Sequence, residues 1–257
     1  MPRAAGPDKN CGMIQLACKG LRILKRLGLF LATAKLAATC GGAAAAAEPP
    51  AAPAPLYHEA TNEFARMKVT QYRHATRVDA ATGSYYYDCV GFVSHALHKA
   101  APQAWKSLAT KTALAPHRTP SPSMYRAFLA GLAAHPQPGW EAVTNAAELR
   151  PGDVVAWKHK TATATGHAVI IGSLPVRGPD NSWVVQVYDS TSTPHGDDSR
   201  LDDPRTQKAD SSGKPSGLGH GVMVFVADAP GGAITGLRWS PRAKTVTVPI
   251  AAGRPTG

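Results

Sequence analysis

Three polar residues in otherwise apolar surroundings define the chemistry open to this chain: Cys89, His167 and Asp189. Cys89 begins the run Cys89-Val-Gly-Phe-Val93, in which Val90, Val93 and Leu97 recur at helical spacing. A thiol at a helix start sits beside unpaired backbone N–H groups and the positive end of the dipole, and both favour the thiolate nucleophile. Asp88 stands just before it as a natural cap. His167 follows a glycine and opens an apolar strand, so its ring can face a cleft while Val169 and Ile171 enter the core. Asp189 ends the next strand, on the same face as Val185 and Val187. Antiparallel pairing of those strands would bring Asp189 to His167, where it could orient the ring and favour imidazolium. A thiol, an imidazole base and a carboxylate together suit covalent catalysis through an acyl intermediate. Taken singly, each has a plainer reading: a packed cysteine, a hydrogen-bonded structural histidine, a turn-capping aspartate.

Helices are expected first and strands after. Ala60–Lys68 reads as a helix capped by Thr61, Cys89 starts a second, and Ser123–Ala134 forms a third with Met124, Phe128 and Leu132 on one stripe. After Pro151-Gly152 the segments turn short and β-branched: Val154–Trp157, His167–Ile171, Trp183–Asp189, Val222–Ala227, Ile234–Trp239 and Thr245–Ile250. This order predicts an α+β fold. The polar stretch of about 30 residues between Asp189 and Gly221 is long enough for a functional loop. His195, Asp197 and Arg200 within it could contact a substrate, or the stretch could be a solvated excursion.

The formal charge of +11 would suggest an anionic partner. Seven of the 28 basic residues lie before residue 48, however, beside Asp8 as the sole acid there. The cluster Lys19, Arg22, Lys25, Arg26, the apolar Leu27–Ala34 and the site Ala45-Ala46-Ala47 resemble an export leader over 1–47, with Met13 as an alternative start. A disordered basic tail is the competing reading, and Leu36–Cys40 loosely resembles a lipid-attachment site. From Glu48 onward the chain carries 21 Lys+Arg against 16 Asp+Glu, a net +5, and one of the 4 cysteines, Cys89. A lone cysteine makes no internal disulfide, so the domain is no disulfide scaffold. Residues 48–56 read as a Pro/Ala linker, 57–240 as one domain and 241–257 as a frayed Pro/Gly-containing tail. His95 and His98 lack the Glu of a zinc-helix motif, and Lys158-His159-Lys160 lacks interleaved aromatics. No metal, cofactor or nucleic acid is expected.

Asp88-Cys89-Val90-Gly91-Phe92 resembles the Asp-Cys-Ser-Gly-Phe nucleophile motif of NlpC-type papain-like cysteine peptidases, with Val90 in place of the usual serine. Leu149–Asp153 followed by Gly166-His167 is similar to that family's Pro-Gly-Asp strand and Gly-His base, in the same order and spacing. The likeness covers roughly Tyr57 to Asp189. It implies a helix-borne nucleophile packed on an antiparallel sheet. It also implies hydrolysis of amide bonds in bacterial cell-wall peptides by an exported monomer, periplasmic or secreted. By position Cys89 would be the nucleophile, His167 the base and Asp189 the third member. Tyr87, Asp88 and His195 are the candidate substrate contacts. An acyltransferase, or a catalytically silent wall-binding domain of the same fold, are the alternatives.

Overall fold

The computed structural model describes residues 54–113, 118–159 and 166–256; the leader expectation and Lys160 lie outside them. The chain runs α1 (Pro55–Arg66), β1 (Val69–Tyr72), β2 (Arg77–Asp79), β3 (Ser84–Tyr87), α2 (Cys89–Ala100), α3 (Pro102–Lys111) and α4 (Pro122–Gly131). It continues with β4 (Trp140–Val143), β5 (Val154–Trp157), β6 (His167–Ile171), β7 (Val176–Arg177), β8 (Ser182–Thr191) and β9 (Gln207–Lys208). The last strands are β10 (Pro215–Ala227), β11 (Ile234–Arg238), β12 (Val246–Thr247) and β13 (Ile250–Pro255). This is an α+β fold with four helices and a large antiparallel sheet among the described residues. None of these helices is long and apolar enough to cross a membrane.

The helix starts follow local chemistry. Pro55, Pro102 and Pro122 open α1, α3 and α4, where a missing N–H costs nothing and φ is already helical. The first helix therefore begins before the expected Ala60, and Thr61 lies inside it, its hydroxyl donating to the His58 carbonyl at 2.9 Å. Ser121 caps α4 by accepting from the Met124 N–H. The helix α3 was not anticipated; it buries only Ala104 and Leu108, a stripe too narrow to signal a period.

The sheet order is β12-β11-β10-β8-β6-β5-β13-β4, with β7 and β9 added on β8 and β10. Its two faces bury separate cores, as period-2 alternation requires. Val154, Ala156, Ala168 and Ile170 pack under the helices with Phe92, Leu97 and Leu129. Val155, Trp157, Val169, Ile171, Val185 and Val187 face the other way, against Leu237, Val248 and Ile250. Residues from β11 and β13 share this second core although the strands are far apart in the sheet, so the sheet curls around it.

The C-terminal segment is not a frayed tail. Ile250–Pro255 inserts between β5 and β4, and Arg254 donates to both carboxylate oxygens of the buried Asp153, at 2.8 and 2.9 Å. Alanine, glycine and proline carry little strand signal, so only this docking reveals the element. A smaller sheet, β1-β3-β2, was also unanticipated; its β1 lies parallel to β3 and pairs Tyr72 with Tyr87.

Helix α1 is joined to β3 through a buried carboxyl. Glu63 is 1% exposed; one oxygen accepts from the Tyr87 hydroxyl at 2.9 Å, while Oε1 has no hydrogen-bond partner among the described residues. Burial, only partly offset by the Tyr87 hydrogen bond, pushes this carboxyl from 4.5 up to about 8. Between those values the unfolded chain releases a proton that the folded chain keeps, so stability falls as pH rises from 4.5 towards 8. In Glu63→Gln this loss is expected to disappear, so that urea midpoints of the variant gain on the unsubstituted protein from pH 5 to pH 8. Parallel pH curves for the two proteins would sink the assignment.

Candidate active site

The candidate nucleophile, Cys89, is positioned by the turn between β3 and α2. Asp88 leaves the strand in extended conformation, and its carboxylate accepts from the Gly91 N–H at 2.8 Å. That cap fixes Cys89 as the first helical residue, where its N–H and that of Val90 have no intrahelical acceptor. Gly91 is required by close approach: a Cβ there would stand 2.4 Å from Thr76 Oγ1 and 2.9 Å from Tyr87 Cβ. Cys89 itself is free and 4% exposed.

His167 is the first residue of β6, opposite Trp157 of β5. Gly166 before it has φ +130°, and a Cβ there would lie 1.9 Å from the Trp157 carbonyl oxygen, so glycine alone delivers the imidazole at this point. Strand β6 pairs antiparallel with β8, Ile170 opposite Tyr188 and Ile171 opposite Val187. The same register extended places Asp189 opposite Val169, one same-face position from His167. The side chains meet: His167 Nε2 lies 2.6 Å from Asp189 Oδ2. By strand parity His167 and Asp189 belong to the second core and Cys89 to the first, so the three come together at the end of the sheet.

Electrostatics at this junction favour a charged imidazole. Burial pushes His167 down, but the neighbouring Cys89 and the hydrogen bond to Asp189 raise it more, to about 9. With Nε2 donating to Asp189, Nδ1 is the nitrogen left for the thiol. Asp189 is buried, and burial alone would raise its carboxyl; the neighbouring His195, the Arg200 guanidinium and the two imidazole hydrogen bonds hold it well below the usual range.

The stretch after Asp189 is folded into the site, not splayed over it. His195 has a side chain without exposed surface; Nε2 lies 2.8 Å from the same Asp189 oxygen and Nδ1 3.3 Å from the Trp239 carbonyl. It is buried between Asp189 and the Trp239 indole, whose ring centroid is 4.0 Å from its own. Arg200 is fully buried, with Nη2 donating to Asp189 Oδ1 at 2.5 Å, Nη1 to Asp198 Oδ2 at 2.8 Å and Nε to the Gly217 carbonyl at 2.7 Å. Asp197, by contrast, is exposed. Sequence reasoning named Arg200 as a possible substrate contact and missed Asp198; that the two form a buried pair behind Asp189 was not legible, because polar residues without periodicity read as solvated.

The tyrosines also sort differently. Tyr85 and Tyr87 point into the core, Tyr87 to Glu63, and Arg73 lies over the Tyr86 ring at 5.6 Å. Tyr87 is thus a support beneath the turn, and its carbonyl accepts from Ser190 beside Asp189 at 2.6 Å. Tyr72 is the tyrosine that senses the thiol. Burial and then the negative charges of Cys89, Asp88 and Asp189 raise its hydroxyl, which therefore remains a donor.

The donor atoms of His167, Asp189 and His195 lie within 4.8 Å of one another. They do not fit a resident metal: both Nε2 atoms already hydrogen-bond one oxygen, and the other oxygen holds a guanidinium. The donors are used up as a hydrogen-bond network.

No family model, curated protein or solved structure matches the chain. The site must speak through its own geometry.

Proposed function

We propose that the chain is an exported thiol hydrolase of the papain-like class, cleaving amide bonds in bacterial cell-wall peptides. The observation that carries this reading is the sequence of contacts at the site: a cysteine at a capped helix start, a histidine next to it with a pKa raised to about 9, and a carboxylate 2.6 Å from that histidine. The peptidoglycan substrate rests on the resemblance of Asp88–Phe92 and Gly166-His167 to the NlpC-type motifs.

In this reading the Cys89 thiolate attacks the carbonyl carbon of the amide. The oxyanion accepts from the Cys89 N–H and the Tyr72 hydroxyl. His167 passes its Nδ1 proton to the leaving amine as the C–N bond breaks, which leaves an acyl thioester. Water then loses a proton to neutral His167 and attacks the thioester, releasing a carboxylic acid and restoring the thiolate–imidazolium pair. Asp189 holds the ring so that Nδ1, not Nε2, faces the thiol.

The test is release of fragments from purified peptidoglycan by the full chain and by Cys89→Ala, followed by mass spectrometry. New amine termini made only by the intact thiol are expected. Adducts of an added amine in place of hydrolysis would favour acyl transfer, and Cys89-independent or absent products would overturn both enzymatic readings.

A further inference from the structure

Tyr87 ties the nucleophile turn to three other parts of the chain. Its phenol donates to Glu63 Oε2 on α1 at 2.9 Å. Its carbonyl accepts from the Arg73 N–H at 3.2 Å, just after Tyr72, and from the Ser190 hydroxyl at 2.6 Å, just after Asp189. Asp88 and Cys89 follow it directly. The ring is wholly buried, its centroid 5.4 Å from that of Phe92 on α2 and 6.3 Å from that of Tyr85. A displacement of Tyr87 therefore carries Cys89 with it, relative to both Asp189 and Tyr72.

The acceptor for that phenol is the buried Glu63 carboxyl, whose Oε1 has no hydrogen-bond partner among the described residues. The groups that face it are Glu59 on its own helix, His95 and Lys99 on α2, and Tyr85 and Tyr87 on β3. None of them neutralises a charge there. Lys99 Nζ stands 3.9 Å from Oε1 but is bound to Glu59, and His95 Nε2 stands 3.4 Å away without a hydrogen bond. Burial and the Lys99 charge lower the His95 pKa, so that ring is neutral at neutral pH. A buried carboxylate without a counter-charge is costly, and the neutral acid is the form that fits, with Oε2 as acceptor for the phenol.

We infer that Glu63 is a positioning residue for the thiol: through the Tyr87 phenol it sets the place of Cys89 against the His167 imidazole. The inference rests on the thiol-hydrolase reading above and adds to it a residue that lies in none of the motifs behind that reading. Its effect is legible at His167. Burial lowers that ring's pKa, and the neighbouring Cys89 and the hydrogen bond to Asp189 raise it. His159 and His195 are the other titratable groups beside it. A turn that shifts Cys89 away takes the Cys89 contribution from the ring and leaves that of Asp189, so the ring gives up its proton at lower pH. A loss of packing that leaves the turn in place does not move that titration.

Three variants of the full chain test this: Tyr87→Phe, Glu63→Leu and Glu63→Gln. The first two break the link from either end, whereas glutamine keeps a carbonyl acceptor for the phenol. The His167 ring-proton resonance, assigned with His167→Gln, is followed by NMR against pH. Its midpoint, about 9 in the unsubstituted protein, is expected at about 8 or below in Tyr87→Phe and Glu63→Leu and at about 9 in Glu63→Gln. Hydrolysis of soluble peptidoglycan peptides is measured beside it. In the first two variants kcat falls about tenfold or more while KM changes less than about threefold, and Glu63→Gln keeps about half of kcat or better. Circular dichroism shows which variants are folded; if Glu63→Leu is not, Tyr87→Phe, which removes a single oxygen, decides the matter. A midpoint that stays at about 9 in folded Tyr87→Phe, or a fall that glutamine shares, overturns the positioning role. If the unsubstituted protein gives no Cys89-dependent hydrolysis, the thiol-hydrolase reading fails; the NMR midpoints need no substrate, so the two failures are told apart.

Discussion

If the chain is the thiol hydrolase proposed above, Asp189→Asn is expected to lower Cys89-dependent amide hydrolysis by about 10³- to 10⁴-fold while the protein stays folded. The reason is the direction of one hydrogen bond. Asp189 Oδ2 accepts from His167 Nε2 at 2.6 Å and from His195 Nε2 at 2.8 Å. An asparagine in the same place can turn its NH₂ towards His167, which then must accept at Nε2 and carry its proton on Nδ1 permanently, or lose the contact. Either outcome removes one of the two neighbours, Asp189 beside Cys89, that keep the ring charged. The pH profile tells this apart from a merely looser site. With Asp189 present, His167 keeps its proton until pH approaches about 9, so the alkaline limb of the activity profile belongs there. In the variant that limb should move down towards neutrality, because burial, the largest influence on this ring, pulls its pKa down once the carboxylate is gone. An alkaline limb that does not move would show that Asp189 is not the partner of the base.

Arg200→Met should be the most destabilising substitution in the domain. The guanidinium is wholly buried and meets two carboxylates, Asp189 and Asp198, and two carbonyls, those of Asp189 and Gly217. A methionine of similar length fills the space, so packing loss is small; what remains is a buried Asp198 without a counter-charge and an Asp189 left to its two imidazole partners. Breaking one member out of a buried ion pair costs about 3–5 kcal/mol. In a domain of this size that is a fall of roughly 10 °C in melting temperature. The double substitution Arg200→Met with Asp198→Asn should recover part of the loss, since one uncompensated charge is then removed. Differential scanning calorimetry measures both, and a loss under about 1 kcal/mol for Arg200→Met would mean that the network is not what holds the loop down.

Much of the site could be read without coordinates because its signals are local. The nucleophile turn needs an acceptor just before the helix, a thiol at its start and a residue without a side chain at the crowded third position; Asp88, Cys89 and Gly91 state this within four residues. His167 and Asp189 were legible as a pair because strand alternation and an antiparallel register are enough to put them together. Helix boundaries were misread where proline could start a helix earlier than the apolar period does, as at Pro55 and Pro122. The parallel strand β1 carries no period at all over four residues, so Tyr72 was not connected with the thiol.

The polar insert shows the deeper limit. His195, Asp198 and Arg200 lie among serines, prolines and glycines, a composition that describes a solvated loop in most chains. Their burial depends on partners from β8 and β10 that are distant in sequence or adjacent only after the sheet has formed. The same holds for Ile250–Pro255, whose strand identity comes from the space between β5 and β4 and from Asp153 waiting for Arg254.

The sequence by itself determined the α+β order of elements, the cap that sets a thiol at a helix start, and the types of residue able to act as nucleophile, base and orienting anion. These follow from spacing and propensity within a few residues, where backbone geometry leaves few choices. Only the tertiary structure decided that His195 packs on Asp189, that a buried arginine compensates two carboxylates, and that the last strand inserts between β5 and β4. A buried charge is stable only beside its counter-charge, and no local pattern along the chain says where that partner will be.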